Sequence, residues 1–396
     1  MVPNEVAAVM RERESCARPG SFERLRVGVV GVGRISQLAH LPWLARESTR
    51  FDLAGIADVS PLLSATIGKQ YGVEALPSVE DLLELDLDAI ICATPISLHS
   101  DIVIKALGAG VHVLCEKPIA LTLRECNEMI RARDAADCVV QVGYMKRLDP
   151  GTKALLAELP ASSEDVRYIS VEVIDPYYGP FTVDQGLIEP DLPPDHQSRI
   201  RALEADQVRE ATGQHLSPAA YCAYRHGYVG SLIHDVNLLH GIVDILQATV
   251  PVRVQGGHFW AGGRAVDAIV ELDGGGSAHL AHVALSGVPH YQERVTVFCT
   301  DRILELTFAS PYLARRTARL VARRSVGSMQ LETTELHHGY DDPFRLQLCS
   351  FHAAVTGIGP TMNTLEEAKR DLDLLIRVHR MAMGFSPLVT GNQTAL

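Results

Sequence analysis

The chain has 396 residues, 47% of them hydrophobic and 21% charged, with a formal net charge of −12. This length exceeds what one hydrophobic core ordinarily serves and predicts two domains. The acidic balance excludes partners that demand a basic face, nucleic acid or an anionic membrane surface, and no apolar run approaches the ~20 residues that span a bilayer. Residues 1–20 carry Arg11, Arg13 and Arg18 without an apolar stretch, so residues 1–23 read as a flexible arm and not a secretory leader. Eight cysteines are scattered with no CxxC spacing, which suggests reduced buried thiols in a cytoplasmic protein and no metal site.

Residues 25–30 form an apolar strand, followed at once by Gly31-Val-Gly33-Arg34-Ile35-Ser36. This is the dinucleotide fingerprint with serine at the third glycine position. Gly31 permits the tight turn, Gly33 lets backbone approach a pyrophosphate, and the helix opening at Arg34 and Ile35 points its amides at phosphate. A second strand, 51–58, ends in Asp58, the acid that in this fingerprint accepts hydrogen bonds from ribose hydroxyls. The alternative is a solvated turn aspartate. No arginine follows it (Val59, Ser60 and Pro61 come next), so the prediction is NAD over NADP.

Alternation continues with a helix from Ser60 stopping at Gly72, a strand near 73–76, a helix from Ser78 and a buried strand at 88–94. Thr94 and Pro95 sit at that strand's carboxyl end, and His99 reads as a residue near a helix N-terminus. The apolar run 111–114 ends in Glu116-Lys117-Pro118 and delivers Lys117 to the edge where open α/β sheets bind ligands. The plainer alternative is a surface lysine ending a strand. A helix at 121–137 and a sixth strand at 138–142 complete a doubly wound α/β unit.

Taken together, Gly31-x-Gly33, Asp58, Ala93-Thr94-Pro95 with His99, and Cys115-Glu116-Lys117-Pro118 resemble the glucose-fructose oxidoreductase/inositol dehydrogenase (Gfo/Idh/MocA) family. The resemblance covers the first half and, more loosely, the second. It implies a Rossmann dinucleotide-binding domain over 24–145. It also implies a C-terminal α+β domain over 146–396 with a large, open, mostly antiparallel sheet whose outer face makes a homodimer or homotetramer. By the same resemblance Lys117 contacts both the nicotinamide ribose and the substrate oxygen.

Lys146-Arg147 falls where the family often carries basic residues near the substrate, which makes Arg147 a candidate substrate contact; a solvated pair is the alternative. Residues 176–228 form a long excursion, expected to be ordered as a short helix plus a flap. It contains the aromatic pair Tyr177-Tyr178 and, in 221–228, the candidate contact Tyr224. Next, Gly230-Ser-Leu-Ile-His234-Asp235-Val-Asn237 opens an amphipathic helix, with His234 and Asp235 near its N-terminal end. An imidazole suits general acid/base work; the alternative is a capping or core histidine. The family carries Asp-x-x-x-His here, with the histidine passing the proton. His234 fits that pattern, and Gly230 stands at the aspartate position. Strands follow at 252–258, 265–272, 277–286, 293–300 and 302–309, with hairpin glycines at 274–276, and helices at 344–356 and 365–385.

The sequence therefore predicts an NAD-dependent oxidoreductase acting on a secondary alcohol or ketone of a sugar, cyclitol or glycoside. Its catalytic residues are Lys117 and His234, with Asp235 a further substrate contact. Imine reduction or redox-assisted elimination on the same platform, and a non-catalytic NAD-sensing protein, are the alternatives.

Overall fold

A computed structural model of the chain describes residues 24–176, 179–192, 194–246, 253–272, 275–327 and 329–385. The expected arm at 1–23, Tyr177, Tyr178 and Gly274 lie outside the described residues.

The first sheet is built from β1 (Leu25–Val30), β2 (Phe51–Ala57), β3 (Glu74–Leu76), β4 (Ala89–Cys92), β5 (His112–Cys115) and β6 (Val140–Val142). Its order is β3-β2-β1-β4-β5-β6 and every pair is parallel. This is the doubly wound Rossmann order. Ile90, Ile91, Val113 and Leu114 are all buried, as strands covered on both faces require. Local signals set the crossover helices. Ser60 caps Pro61–Tyr71 by accepting from the Leu63 amide, and Gly72 ends that helix in the left-handed region. Thr122 and Glu125 form a reciprocal capping box at the start of Leu123–Ala136.

The second sheet contains β7 (Val166–Asp175), β8 (Arg253–Trp260), β9 (Ala265–Glu271), β10 (Ser277–Ala284), β11 (Gln292–Cys299), β12 (Arg302–Phe308), β13 (Arg319–Gly327) and β14 (Gln330–His337). Its order is β14-β13-β12-β11-β7-β10-β9-β8. Only β7 and β10 run parallel. The strands alternate buried and exposed residues because helices cover one face. β13 and β14 were absent from the sequence expectation. In them the alternation is masked by arginines and by a last strand exposed at nearly every residue.

The excursion also differs from expectation. Its charged centre is a 19-residue helix, Pro194–Thr212. Further on, Pro218–Cys222, a π-helical stretch Ala223–Leu232 and Ile233–Ile245 run on without a break. His234 and Asp235 are therefore inside a longer helical run and not at an open N-terminus.

The last helix, Leu365–Ala382, joins the two sheets. Arg133 on a first-sheet helix pairs with Glu366 at 2.7 Å, and the Val142 amide donates to the Asn363 carbonyl at 2.9 Å. Further along, His379 stacks on Phe259 of β8 and meets Tyr224 and Tyr228 edge-on. No helix among the described residues is long and apolar enough to cross a membrane.

Candidate active site

The carboxyl ends of β1, β2, β4 and β5 lie side by side, and each carries part of the predicted fingerprint. Gly31 has φ +85°, and a Cβ there would sit 2.7 Å from the Ala93 carbonyl oxygen, so only glycine allows the β1 turn to pass so close to β4. A Cβ on Gly33 would meet no protein atom within 4 Å, which leaves open space in front of the first helical amides at Arg34 and Ile35. Ser36 is buried and donates its hydroxyl to the Gly31 carbonyl at 2.6 Å, tying the helix to the turn. Asp58 accepts from the Val32 and Ser60 amides, both at 2.8 Å, and so braces the fingerprint from β2. These residues fit a dinucleotide: an open glycine, helix amides and a fixed carboxylate.

A cavity of about 750 Å³ opens from this edge toward the second sheet. Arg34, Ile35, Thr94, Pro95, Glu116, Lys117 and His99 line it from one side, and His234 lines it from the other. Both ring nitrogens of His99 meet carbonyl oxygens, Pro118 at 3.0 Å and Thr94 at 2.9 Å. His99 thus ties the β4 and β5 ends together and offers neither nitrogen for proton transfer. Its ring also lies among Cys92 and Cys115, with possible ligand atoms of the three within 4.8 Å of one another. Because both imidazole nitrogens are bound to backbone, the trio lacks the nitrogen ligand a metal would need.

Lys117 leaves the β5 end and donates from Nζ to the Gly230 carbonyl at 3.0 Å. Burial pulls its pKa down to about 8; Glu116 and Asp175 resist this, while Lys146 and Arg225 add to it. Burial pushes the Glu116 carboxyl up, but the His40 bond at 2.9 Å, with the His40 and Lys117 charges, brings it below its ordinary value. Burial, then Lys117 and Lys146, holds His234 well below the ordinary histidine value, so its imidazole is neutral. Its Nδ1 is buried without a hydrogen-bond partner.

Gly230 has a structural cause. In the π-helical turn its Cβ would fall 2.7 Å from the Arg225 carbonyl oxygen. The same turn aims the Gly230 carbonyl at Lys117. A side chain at this position would press on the Arg225 carbonyl.

Three expected contacts are corrected. Arg147 turns away from the cavity, donating to the Asn237 carbonyl at 2.8 Å and standing 3.6 Å from Glu367. Its neighbour Lys146 faces the cavity instead. Tyr224 is fully buried, and its hydroxyl donates to the Leu121 carbonyl at 2.7 Å. Asp235 is buried beside Glu293, where burial and then the Glu293 charge push its carboxyl well up, toward the protonated form.

Around Lys146, which the sequence offered only as half of a basic pair, stand Glu293, Tyr291, Asp175 and His282, which sequence reasoning missed. Lys146 lies 2.5 Å from both oxygens of Glu293, which is 0% exposed, and the Tyr291 hydroxyl donates to the same carboxylate. Asp175, at the end of β7, lines the cavity; burial raises its carboxyl against the pull of Lys146 and Lys117. His282 stands 4.0 Å from Asp175 and is pushed down to about 4 by burial. A terminal acid on β7, like Asp58 on β2, was the available signal for Asp175.

A family model described as "Oxidoreductase family, NAD-binding Rossmann fold" matches residues 25–144. Over these residues the chain is similar to the Gfo/Idh/MocA family. The chain is 32% identical over 133 residues to inositol 2-dehydrogenase 3 of Saccharopolyspora erythraea, covering 33% of this chain and 39% of that protein. It is 31% identical over 153 residues to UDP-N-acetylglucosamine 3-dehydrogenase of Acidithiobacillus ferrooxidans, covering 39% and 46%. Both matches span less than half of the relative's length. In fold the likeness to solved structures extends over both sheets. The structure of that A. ferrooxidans enzyme aligns with TM-score 0.66 at 22% identity, covering 91% of this chain and 98% of the other. The WlbA dehydrogenase of Bordetella pertussis, solved with NADH and UDP-GlcNAcA, aligns with TM-score 0.65 at 19% identity, covering 91% and 97%.

Proposed function

We propose that the protein is an NAD-dependent dehydrogenase acting on a secondary alcohol or ketone of a sugar, cyclitol or glycoside, with Lys117 and His234 as its catalytic residues. In this reading residues 24–145 form the dinucleotide platform and the second sheet with its helices encloses the substrate. The observation that carries it is the bond from Lys117 to Gly230, which brings a lysine with a pKa of about 8 to the helical run carrying neutral His234.

A bound nicotinamide supplies the hydride acceptor or donor. The rest falls to the chain. Lys117, as ammonium, donates a hydrogen bond to the substrate oxygen and polarises it; His234, as neutral imidazole, takes the hydroxyl proton in oxidation and returns it in reduction. Lys146, Arg225 and Asp175 supply donors and an acceptor on the cavity wall, a mixture suited to a hydroxyl-rich substrate. The inositol and amino-sugar dehydrogenases among the relatives support the same class. A second copy would pack on the uncovered face of the eight-stranded sheet, where Tyr168 stacks on Phe298 at 5.6 Å and meets His279 at 5.1 Å.

The test is a titration with NAD⁺ followed by a panel of polyols, inositols and nucleotide sugars, read at the NADH absorbance band. Turnover of any secondary alcohol supports the reading. NADH binding without turnover across alcohols and ketones sinks the dehydrogenase assignment and leaves a sensor.

A further inference from the structure

Between the second sheet and helix Pro194–Thr212 the chain runs back across the dinucleotide fingerprint. Three ties hold it there. The Gln37 side-chain amide clasps the Ile188 backbone, donating to its carbonyl at 3.0 Å and accepting from its amide at 2.9 Å. Glu189 stands 3.6 Å from the Arg34 guanidinium. Asp191 accepts from the Ser60 hydroxyl and, at 3.1 Å, from the Leu62 amide, while its own amide donates to Ser60 Oγ at 3.2 Å.

The third tie falls at a chemically particular place. Ser60 and Leu62 open helix Pro61–Tyr71, and Asp58 already holds the Ser60 amide. The ribose-side carboxylate and this helix start are thus contiguous. A phosphate on the ribose 2′-oxygen would need the free amides of a helix N-terminus or a nearby arginine. Here the Leu62 amide and Ser60 hydroxyl are occupied by a carboxylate, and Val59, Ser60, Pro61 and Leu62 contain no cation. Arg34, the cation of the fingerprint, faces the carboxylate of Glu189.

We propose that residues 186–192 form a cofactor-selecting strap in which Asp191 takes the position a 2′-phosphate would occupy, making Asp191 a specificity-determining residue for NAD(H) against NADP(H). This rests on the dinucleotide reading above and extends it, because the selecting carboxylate comes from a segment more than a hundred residues beyond the fingerprint. Selection works by exclusion. A 2′-phosphate meets the negative charges of Asp58 and Asp191 together and must displace one hydrogen-bonded anion to reach the helix amides. The ribose of NAD(H) carries only hydroxyls and meets no such conflict.

The experiment is an equilibrium titration of the full chain with NADH and with NADPH, followed by nicotinamide fluorescence, in the parent and in Asp191→Asn and Asp191→Ala. Asp191→Asn removes the charge and keeps the shape; thermal melts confirm that each variant is folded. The parent is expected to bind NADH at least about a hundredfold more tightly than NADPH. Both variants should tighten NADPH by at least about tenfold while leaving NADH within about threefold. A parent that binds the two equally, or an NADPH-to-NADH ratio unmoved in both variants, overturns the role of Asp191. A parent that binds neither overturns the dinucleotide reading itself, a separate result. Titration with 5′-AMP and adenosine 2′,5′-bisphosphate localises the effect: the Asp191 variants should gain only for the bisphosphate, and an equal gain for both overturns the proposal.

Discussion

Lys117 Nζ donates to the Gly230 carbonyl oxygen at 3.0 Å, so a lysine from the first sheet is held by the backbone of the helical run that carries His234. The two proposed proton-handling groups are thus linked through one contact between the end of β5 and that helical run. Gly230 serves as a backbone acceptor at the position where the sequence resemblance implies an aspartate side chain.

Replacing Lys117 by Met should lower kcat by at least about a hundredfold, the scale of a lost acid/base or electrostatic group, with the far-ultraviolet dichroism unchanged. The ammonium form is the working one, so the parent rate should fall as pH rises through about 8. Asp175 holds the Lys117 pKa up. In Asp175→Asn the alkaline limb should therefore move to lower pH, read from kcat/KM against pH. An unmoved limb would detach Asp175 from Lys117.

His234→Ala should cost on the order of 10²–10⁴ in kcat while NADH binding persists. A loss under tenfold would make the histidine a packing residue against Tyr144, whose ring it meets at 6.0 Å.

Gly230→Ala is expected to destabilise the protein by roughly 1–3 kcal/mol, because the added methyl presses on the Arg225 carbonyl and the π-turn must open. The shift should appear in the denaturant midpoint. Gly230→Asp should therefore lose stability and activity together. A stable and faster Gly230→Asp variant would show that the turn accepts a side chain.

Glu293→Gln leaves Lys146 buried, its side chain 7% exposed, opposite a neutral amide. About 3–5 kcal/mol of stability should be lost, the usual result of removing one partner from a buried pair. Asp235 behaves oppositely. Its folded pKa is raised, so the folded state holds a proton that the unfolded chain releases, and its contribution to stability falls as pH rises above the ordinary aspartate value. Asp235→Asn, keeping a neutral side chain of the same shape, should be as stable as the parent or more so at pH 7. Chemical denaturation between pH 5 and pH 8 reads both effects, and a large loss in Asp235→Asn at pH 7 would mean the carboxyl is ionised.

The sequence by itself determined what depends on neighbours along the chain. Strand-ending residues such as Asp58 and Lys117 were legible because a parallel strand buried on both faces reads as an apolar run, and its carboxyl end is where such a sheet presents ligands. The helix start at Ser60 was local for the same reason, its hydroxyl accepting from an amide within the first turn. Tertiary structure decided what depends on pairing between distant segments. The 3₁₀ turn Met145–Leu148 aims Lys146 at the cavity and Arg147 at Asn237, a choice that side-by-side cations cannot announce. Asp175 and His282 meet only because β7 and β10, far apart in sequence, lie parallel and adjacent. The strap that carries Asp191 to Ser60 arises in the same way: a bond to a residue more than a hundred positions away sets it, and local spacing carries no record of it.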